Sequence, residues 1–304
     1  MKKKNPLISI IMNCYNGEKF LHEAINSLKN QVYKNWELIF WDNCSNDNSK
    51  NILKSFKDKR IKYFLAKKFT NLHKARNLAF KKAKGDYISF LDCDDLLLKD
   101  KLFLQVKKLK EKKFSLIYGN YYLQNDTTFL KKKIFFKGAL PEGFITNKLL
   151  NNYFISLPTV LIKREILKQS LFNEKYNIIS DRDLLMRISL KEEFGCIQTP
   201  LAIYRIHGDN FSRKNKLMEI KELQDWISKY KRKYLIKFKL DKSAIFRFEE
   251  RLKISKEIYS TKGINQKLLV IKKLIRNINL FNLINFIKVI FPENIKSKIF
   301  FYNW

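Results

Sequence analysis

Short apolar runs and amphipathic stretches take turns along the first third of this 304-residue chain, which leaves few folds open. Leu7–Met12 is a continuous apolar run of the buried-strand kind, and Glu18–Asn30 has helical spacing at Phe20, Leu21, Ala24, Ile25 and Leu28. Glu37–Trp41 predicts a second strand, followed by a helix through Ile52, Leu53 and Phe56 and a third strand at Ile61–Leu65. Asn71 is placed to cap a helix carrying Leu72, Ala75, Leu78, Ala79 and Ala83, with Gly85 as its stop, and Tyr87–Leu91 predicts a fourth strand. Strands separated by single helices imply βαβ units, hence an α/β fold whose mostly parallel sheet is covered on both faces.

In such a sheet, ligands bind outside the carboxyl ends of the strands. Polar clusters follow three of the predicted strands: Asn13–Asn16, Asp42–Asp47 and Asp92–Asp95. Right-handed crossovers bring all three to one edge. The third cluster crowds Asp92, Asp94 and Asp95 around Cys93. Like charges so close repel unless a cation sits among them, and Mg²⁺ is usually held by one or two carboxylates plus substrate phosphates. The plainer alternative is an acidic turn capping a helix that begins near Asp100. Cys93 itself reads as a small filler, since hard cations prefer oxygen.

The remainder is less regular. Phe114–Leu123 reads as a strand and Phe129–Phe136 as another or as a hairpin arm. Asn151–Ile162 holds Pro158 before a strand-like run, and Asp181–Leu190 is helical by spacing. From residue 213 onward, cationic residues far outnumber acidic ones, apolar residues keep helical spacing and strand alternation is absent. The expected division is 1–212 as one domain and 213–304 as a basic helical appendage. Lys267–Phe301 combines cations with Leu, Ile, Val and Phe. It suits either the headgroup layer of an anionic membrane or packing on the first domain.

A formal net charge of +33 predicts attraction to something anionic. Nucleic acid is not the expected partner, because no reader motif is visible and acidic clusters at the sheet edge repel phosphate. A sugar nucleotidyltransferase would want a Gly-rich, basic loop after the first strand; here that loop is Asn13-Cys14-Tyr15-Asn16-Gly17-Glu18. Cys14, Cys44, Cys93 and Cys196 are scattered without a C-x-x-C pair, which fits a reducing cytoplasm. Leu7–Met12 is too short for a signal peptide's apolar core, and no segment reaches the ~18 apolar residues of a membrane span.

Five segments together carry a resemblance: Ser9–Asn16, Trp41–Asp47, Leu91–Asp95, Ser180–Arg187 and Tyr204–His207. In order and spacing they resemble the family 2 glycosyltransferases of the GT-A fold over residues 7–212. The resemblance implies an inverting transfer of a sugar from a nucleoside diphosphate to an acceptor hydroxyl, with Mg²⁺ or Mn²⁺. It implies an acceptor that is a glycan or lipid-linked saccharide in cell-surface polysaccharide, lipopolysaccharide or glycoconjugate synthesis. The basic tail, rather than the resemblance, carries the expectation that the enzyme sits at the cytoplasmic face of the membrane, in peripheral contact with anionic lipid. By position, Asn13 and Tyr15 would line the nucleoside pocket, Asp42 and Asn43 would recognise the base, and Arg76 would approach the diphosphate. Asp92 would hold ribose, Asp94 and Asp95 the metal and its phosphates, and Asp181 would be the catalytic base. His207 would reach metal or diphosphate, with a structural hydrogen bond as the alternative. Asp181 also suits a helix N-cap, and His22 and His73 read as helix-surface residues. Asn43 stands where many members have Asp, and Ser180 where Glu commonly precedes the base.

Overall fold

The computed structural model describes residues 5–111, 114–125 and 132–261. The chain divides into two compact units, Met1–Phe211 and Ser212–Trp304.

In the first unit, β1 (Ile8–Cys14) and β2 (Trp36–Asp42) are buried at every position. That is why they read as unbroken apolar runs rather than alternations. Helices α1 (Glu18–Lys29) and α2 (Ser49–Ser55) and the edge strand β3 (Ile61–Leu65) follow, then α3 (Leu72–Phe80) and β4 (Tyr87–Phe90). Beyond them come β5 (Leu96–Leu97), α4 (Lys101–Glu111), β6 (Leu116–Asn125), β7 (Lys133–Ile134), α5 (Thr146–Asn151) and β8 (Leu161–Lys163). The unit closes with α6 (Arg164–Gln169), α7 (Ser180–Ser189) and β9 (Phe194–Ile206). The described strands form a 9-stranded sheet ordered β3-β2-β1-β4-β8-β6-β9-β5, with β7 paired to β6. Strands β3, β2, β1 and β4 are parallel, and β8 enters antiparallel between β4 and β6. Since β6 and β9 pair parallel, β9 ends on the same edge as β1, β2 and β4.

Asn71 caps α3, its side chain accepting from the Lys74 N–H at 2.8 Å. Gly85 is not the stop of that helix, which ends at Phe80. A Cβ at residue 85 would lie 2.5 Å from the Ser9 nitrogen, so glycine is needed for close approach to β1. His73 is likewise not a surface residue. It is buried, its Nε2 lies 3.2 Å from the Asn177 carbonyl oxygen and its ring stacks on Phe172. Burial, aided by the Arg76 charge, pushes its pKa down to about 3. His22 is exposed on α1 as expected.

Lys101 is fully buried with only neutral acceptors, donating to Ser89 Oγ (2.6 Å) and Gln105 Oε1 (2.9 Å). Burial pushes its pKa down to about 7. The folded state therefore binds this proton more weakly than the unfolded chain, and stability falls as pH drops from about 10 towards 7. Lys101→Met removes the titrating group. Its urea midpoint is expected to lose the native rise between pH 7 and 9; a rise as steep as that of the native chain would refute the account.

In the second unit, α8 (Phe211–Lys214) spans the boundary, and α9 (Lys216–Tyr234) and α10 (Lys242–Ser260) form a helical hairpin. Trp226 packs edge-on against Phe248 (5.8 Å), and Lys231 pairs with Glu249. Asp241 caps α10 through the Ser243 N–H. The expected amphipathic stretch Lys267–Phe301 lies outside the described residues. Among these, no helix is long and apolar enough to cross a membrane.

Candidate active site

The carboxyl ends of β1, β2 and β4 meet at one edge, stitched by backbone and loop bonds. Asn43 N–H donates to the Cys14 carbonyl (2.8 Å), Asn46 N–H to Asn16 Oδ1 (3.0 Å) and Glu18 N–H to Asp47 Oδ2 (2.9 Å). Much of the second polar cluster is thus spent holding the first in place. Asp42 is buried, with Oδ1 accepting from Ser45 N–H and Oδ2 from the Tyr63 hydroxyl, both at 2.8 Å. Asn43 is buried too, its amide donating to the Thr70 carbonyl (2.7 Å) and accepting from the Thr70 hydroxyl (3.2 Å). Both side chains lie in the floor of the edge, engaged by the chain itself.

Asn13 differs. Its amide is buried and neither polar atom has a hydrogen-bond partner among the described residues. Such a group costs roughly 1–3 kcal/mol unless a ligand satisfies it. Above it, Tyr15 is 55% exposed and meets Phe69, 58% exposed, edge to face at 4.7 Å. Two solvent-facing aromatic rings beside an unsatisfied amide make a platform for a flat heterocycle. Phe69 carried no sequence signal beyond its hydrophobicity. Its place depends on Asn43, which fastens the adjacent Thr70.

Next along the edge, the buried Arg76 of α3 pairs with Asp92 (Nη2 to Oδ1, 2.6 Å). Asp181 lies in the first turn of α7, half-buried, and its Oδ1 accepts from Arg182 N–H (2.7 Å). It is not the helix cap, a position taken by Ile179. Burial raises the Asp181 pKa against the opposing pull of the Arg76 and Arg182 charges, while Asp92 adds to the rise. Tyr121 and Tyr153 lie within electrostatic reach of Asp181, and the Tyr153 hydroxyl is buried with no hydrogen-bond partner among the described residues. Neither tyrosine was singled out in the sequence, where each looks like core.

Strand β9 completes the site. Asp94 Oδ2 is held by His207 Nε2 (2.9 Å) and the Asn210 amide (3.2 Å). Asp95 is buried; its Oδ1 accepts from Arg205 N–H (3.0 Å), and its Oδ2 has no hydrogen-bond partner among the described residues. Arg205 donates through Nε to the Asp94 carbonyl (3.0 Å) and pairs through Nη2 with Glu23 (2.7 Å). Burial and the neighbouring Asp charges raise the pKa of Asp94, and that of Asp95 far more. Carboxylates in this state call for a cation. Two carboxylates and an imidazole are a donor set that suits Mg²⁺ or Mn²⁺. Among the described residues no three His, Cys, Asp or Glu side chains converge as a finished metal cage. The fit is therefore to an ion that also takes ligands from a bound phosphate, as Mg²⁺ usually does. Arg205 and Asn210 enter the site through the segment that held the expected His207.

Comparison with known proteins identifies the family and the fold. The profile of "Glycosyl transferase family 2" matches residues 9–177. Escherichia coli UDP-Glc:alpha-D-GlcNAc-diphosphoundecaprenol beta-1,3-glucosyltransferase WfgD is 37% identical over 161 residues, 53% of this chain and 62% of that protein. The match thus spans under two thirds of that relative's length. Putative teichuronic acid biosynthesis glycosyltransferase TuaG of Bacillus subtilis is 32% identical over 218 residues, 70% of this chain and 84% of that protein. Among solved structures, S. aureus TarS 1-349 in complex with UDP-GlcNAc superposes with a TM-score of 0.58 at 22% identity, covering 67% of this chain and 59% of that one. Mannosyltransferase PcManGT from Pyrobaculum calidifontis, in complex with GDP-Man and Mn²⁺, gives 0.60 at 12% identity, covering 99% and 82%. These likenesses establish the fold.

Proposed function

Because the chain belongs to glycosyl transferase family 2, we propose that it moves a sugar, with inversion, from a nucleoside-diphosphate sugar to a hydroxyl of a lipid-linked or glycan acceptor. The observation that carries this is the edge cluster: Asp95, buried, with a raised pKa and one oxygen unpartnered among the described residues, lies within reach of the Asp94 and Asp92 charges, and Asp92 pairs with the buried guanidinium of Arg76.

In this reading Asn13, Tyr15 and Phe69 take the nucleoside, over a floor shaped by Asp42 and Asn43. Asp92 turns from Arg76 to the ribose, freeing the guanidinium for the diphosphate, whose oxygens its planar fork matches. Asp94, Asp95 and His207 are the residues that would hold Mg²⁺ or Mn²⁺. When bound, the ion supplies positive charge to the diphosphate as it leaves. Asp181 takes the proton of the attacking hydroxyl, and its desolvated carboxylate suits a general base. Only one such carboxylate is required, because the leaving diphosphate needs no proton.

A panel of UDP-, GDP- and dTDP-sugars, each with Mn²⁺ or with EDTA, tests the reading. At least one should raise the melting temperature only when Mn²⁺ is present, since a ligand that binds the folded state stabilises it. No stabilisation across the panel would sink it. Tyr15→Ala and Phe69→Ala should each weaken binding of the stabilising nucleotide by about 1–3 kcal/mol, the usual loss of a base-stacking ring. Unchanged titration isotherms for both would move the nucleoside elsewhere.

WfgD is named for a diphosphoundecaprenol-linked substrate, and an acceptor of that kind would place this chain at the cytoplasmic membrane face. The strong positive charge supports contact with anionic lipid. Flotation of the full chain with phosphatidylglycerol vesicles, but not with neutral ones, is the expected result; equal flotation with both would count against it.

A further inference from the structure

Cys14 and Cys93 meet where β1 ends and the turn after β4 begins. The parallel ladder pairs Ile8 with Tyr87 and Ile11 with Phe90, and the Leu91 N–H still donates to the Ile11 carbonyl at 3.1 Å. Beyond Phe90 the chain leaves the ladder, and Cys93 lies in the turn after β4, beside the end of β1 that carries Cys14. Cys93 Sγ donates to the carbonyl oxygen of Asn13, the neighbour of Cys14, at 3.3 Å. Gly17 roofs the pair: a Cβ there would stand 2.9 Å from Cys14 Sγ and 3.4 Å from Cys93 Sγ. Both cysteines are free.

We propose that Cys14 and Cys93 form a reversible oxidation site whose disulfide disables the cation and nucleotide edge. One of the two thiols takes up a small disulfide or diazene oxidant as an adduct, and the other displaces it. Two S–H bonds are lost and one S–S bond forms. The two protons and two electrons reduce a low-molecular-weight disulfide to two thiols, or the N=N bond of diamide to its hydrazine. Bonding draws the sulfurs to about 2.05 Å. Cys93 then carries Asp92 and Asp94, its neighbours on either side, out of position. A misplacement of about 1 Å in such a site costs on the order of 100-fold.

The effect on ligand binding rests on the donor reading above; the bond itself does not. The full chain is reduced, oxidised with diamide under native conditions, alkylated and mapped without reduction. A cross-linked Cys14–Cys93 peptide is expected, with Cys44 and Cys196 alkylated. Affinity for UDP with Mn²⁺ should fall at least about tenfold and return with dithiothreitol. Cys14→Ser and Cys14→Ala should show no change on oxidation. Recovery of both cysteines alkylated overturns the proposal, as does a cross-linked protein that binds UDP and Mn²⁺ like the reduced one. If reduced protein ignores every nucleotide, the donor reading falls, and the peptide map alone still decides whether the bond forms.

Discussion

Asp181→Asn is expected to bind UDP and Mn²⁺ like the native chain while turning over roughly 10²–10⁴-fold more slowly, the usual contribution of a general base. The substitution keeps an oxygen for the Arg182 N–H (2.7 Å) but cannot accept a proton from an acceptor hydroxyl. Burial raises the pKa of Asp181 above the ordinary carboxylate range, although Arg76 opposes it. The working form is the deprotonated one, so turnover should fall as pH drops through that raised value. The variant's residual rate should lack this acid limb. Folding runs the other way. A raised folded pKa means the native state holds the proton more tightly than the unfolded chain does. The associated stability is present at low pH and lost as pH rises through the folded value. At neutral pH the variant should therefore be no less stable than the native chain. Turnover within fivefold of native, measured in the same assay, would remove Asp181 from the reaction; loss of UDP affinity would assign it to the donor instead.

The parallel half of the fold was readable because of where its strands lie. Buried on both faces, β1 and β2 have no polar side to dilute their apolar runs, and their polar residues collect just past the carboxyl ends. Strand β9 could not be read the same way. Its 13 residues are interrupted by the exposed Gln198 and Thr199 and by Pro200, and its pairing with β6 slips beside Gly119 and Asn120. Strand β8, three residues long, shows in the sequence only as the strand-like run after Pro158. The misreading of His73 has a similar cause. Helix α3 looks amphipathic locally, but the segment around Phe172 and Asn177, about a hundred residues later, covers its polar face. His73, Arg76 and Asn77 are thereby buried together. Motif positions located the edge but not the employment of each side chain. Asp42 and Asn43 occupy the expected places yet spend their bonds on Ser45, Tyr63 and Thr70. Tyr153 and Phe69 stand among 14 tyrosines and 25 phenylalanines that a linear reading cannot rank.

Asp95→Asn should make the free protein more stable and deaf to Mn²⁺. The native Asp95 has one oxygen bonded to Arg205 N–H at 3.0 Å and the other buried without a hydrogen-bond partner among the described residues, beside the charges of Asp94 and Asp92. An amide keeps the acceptor for Arg205 and removes a buried negative charge that the Arg205 guanidinium offsets only in part. Relief of roughly 1 kcal/mol would lift the melting temperature by about 2–4 °C in a chain of this size. The pH dependence separates this from mere repacking. Because the folded pKa of Asp95 is raised, acidification through that value should stabilise the native chain, and the variant should lack that gain. The same substitution removes a candidate cation ligand, so Mn²⁺-dependent stabilisation by UDP should vanish, as it should in Asp94→Ala. In Asp94→Ala no rise in stability is expected, because His207 and Asn210 lose their shared acceptor. An Asp95→Asn protein that melts below the native chain, or still answers Mn²⁺ with UDP, would show that these carboxylates are not held in strain for a cation. A more stable protein that has lost the response is what a strained cation site requires, since a carboxylate kept only for structure would destabilise the fold when neutralised.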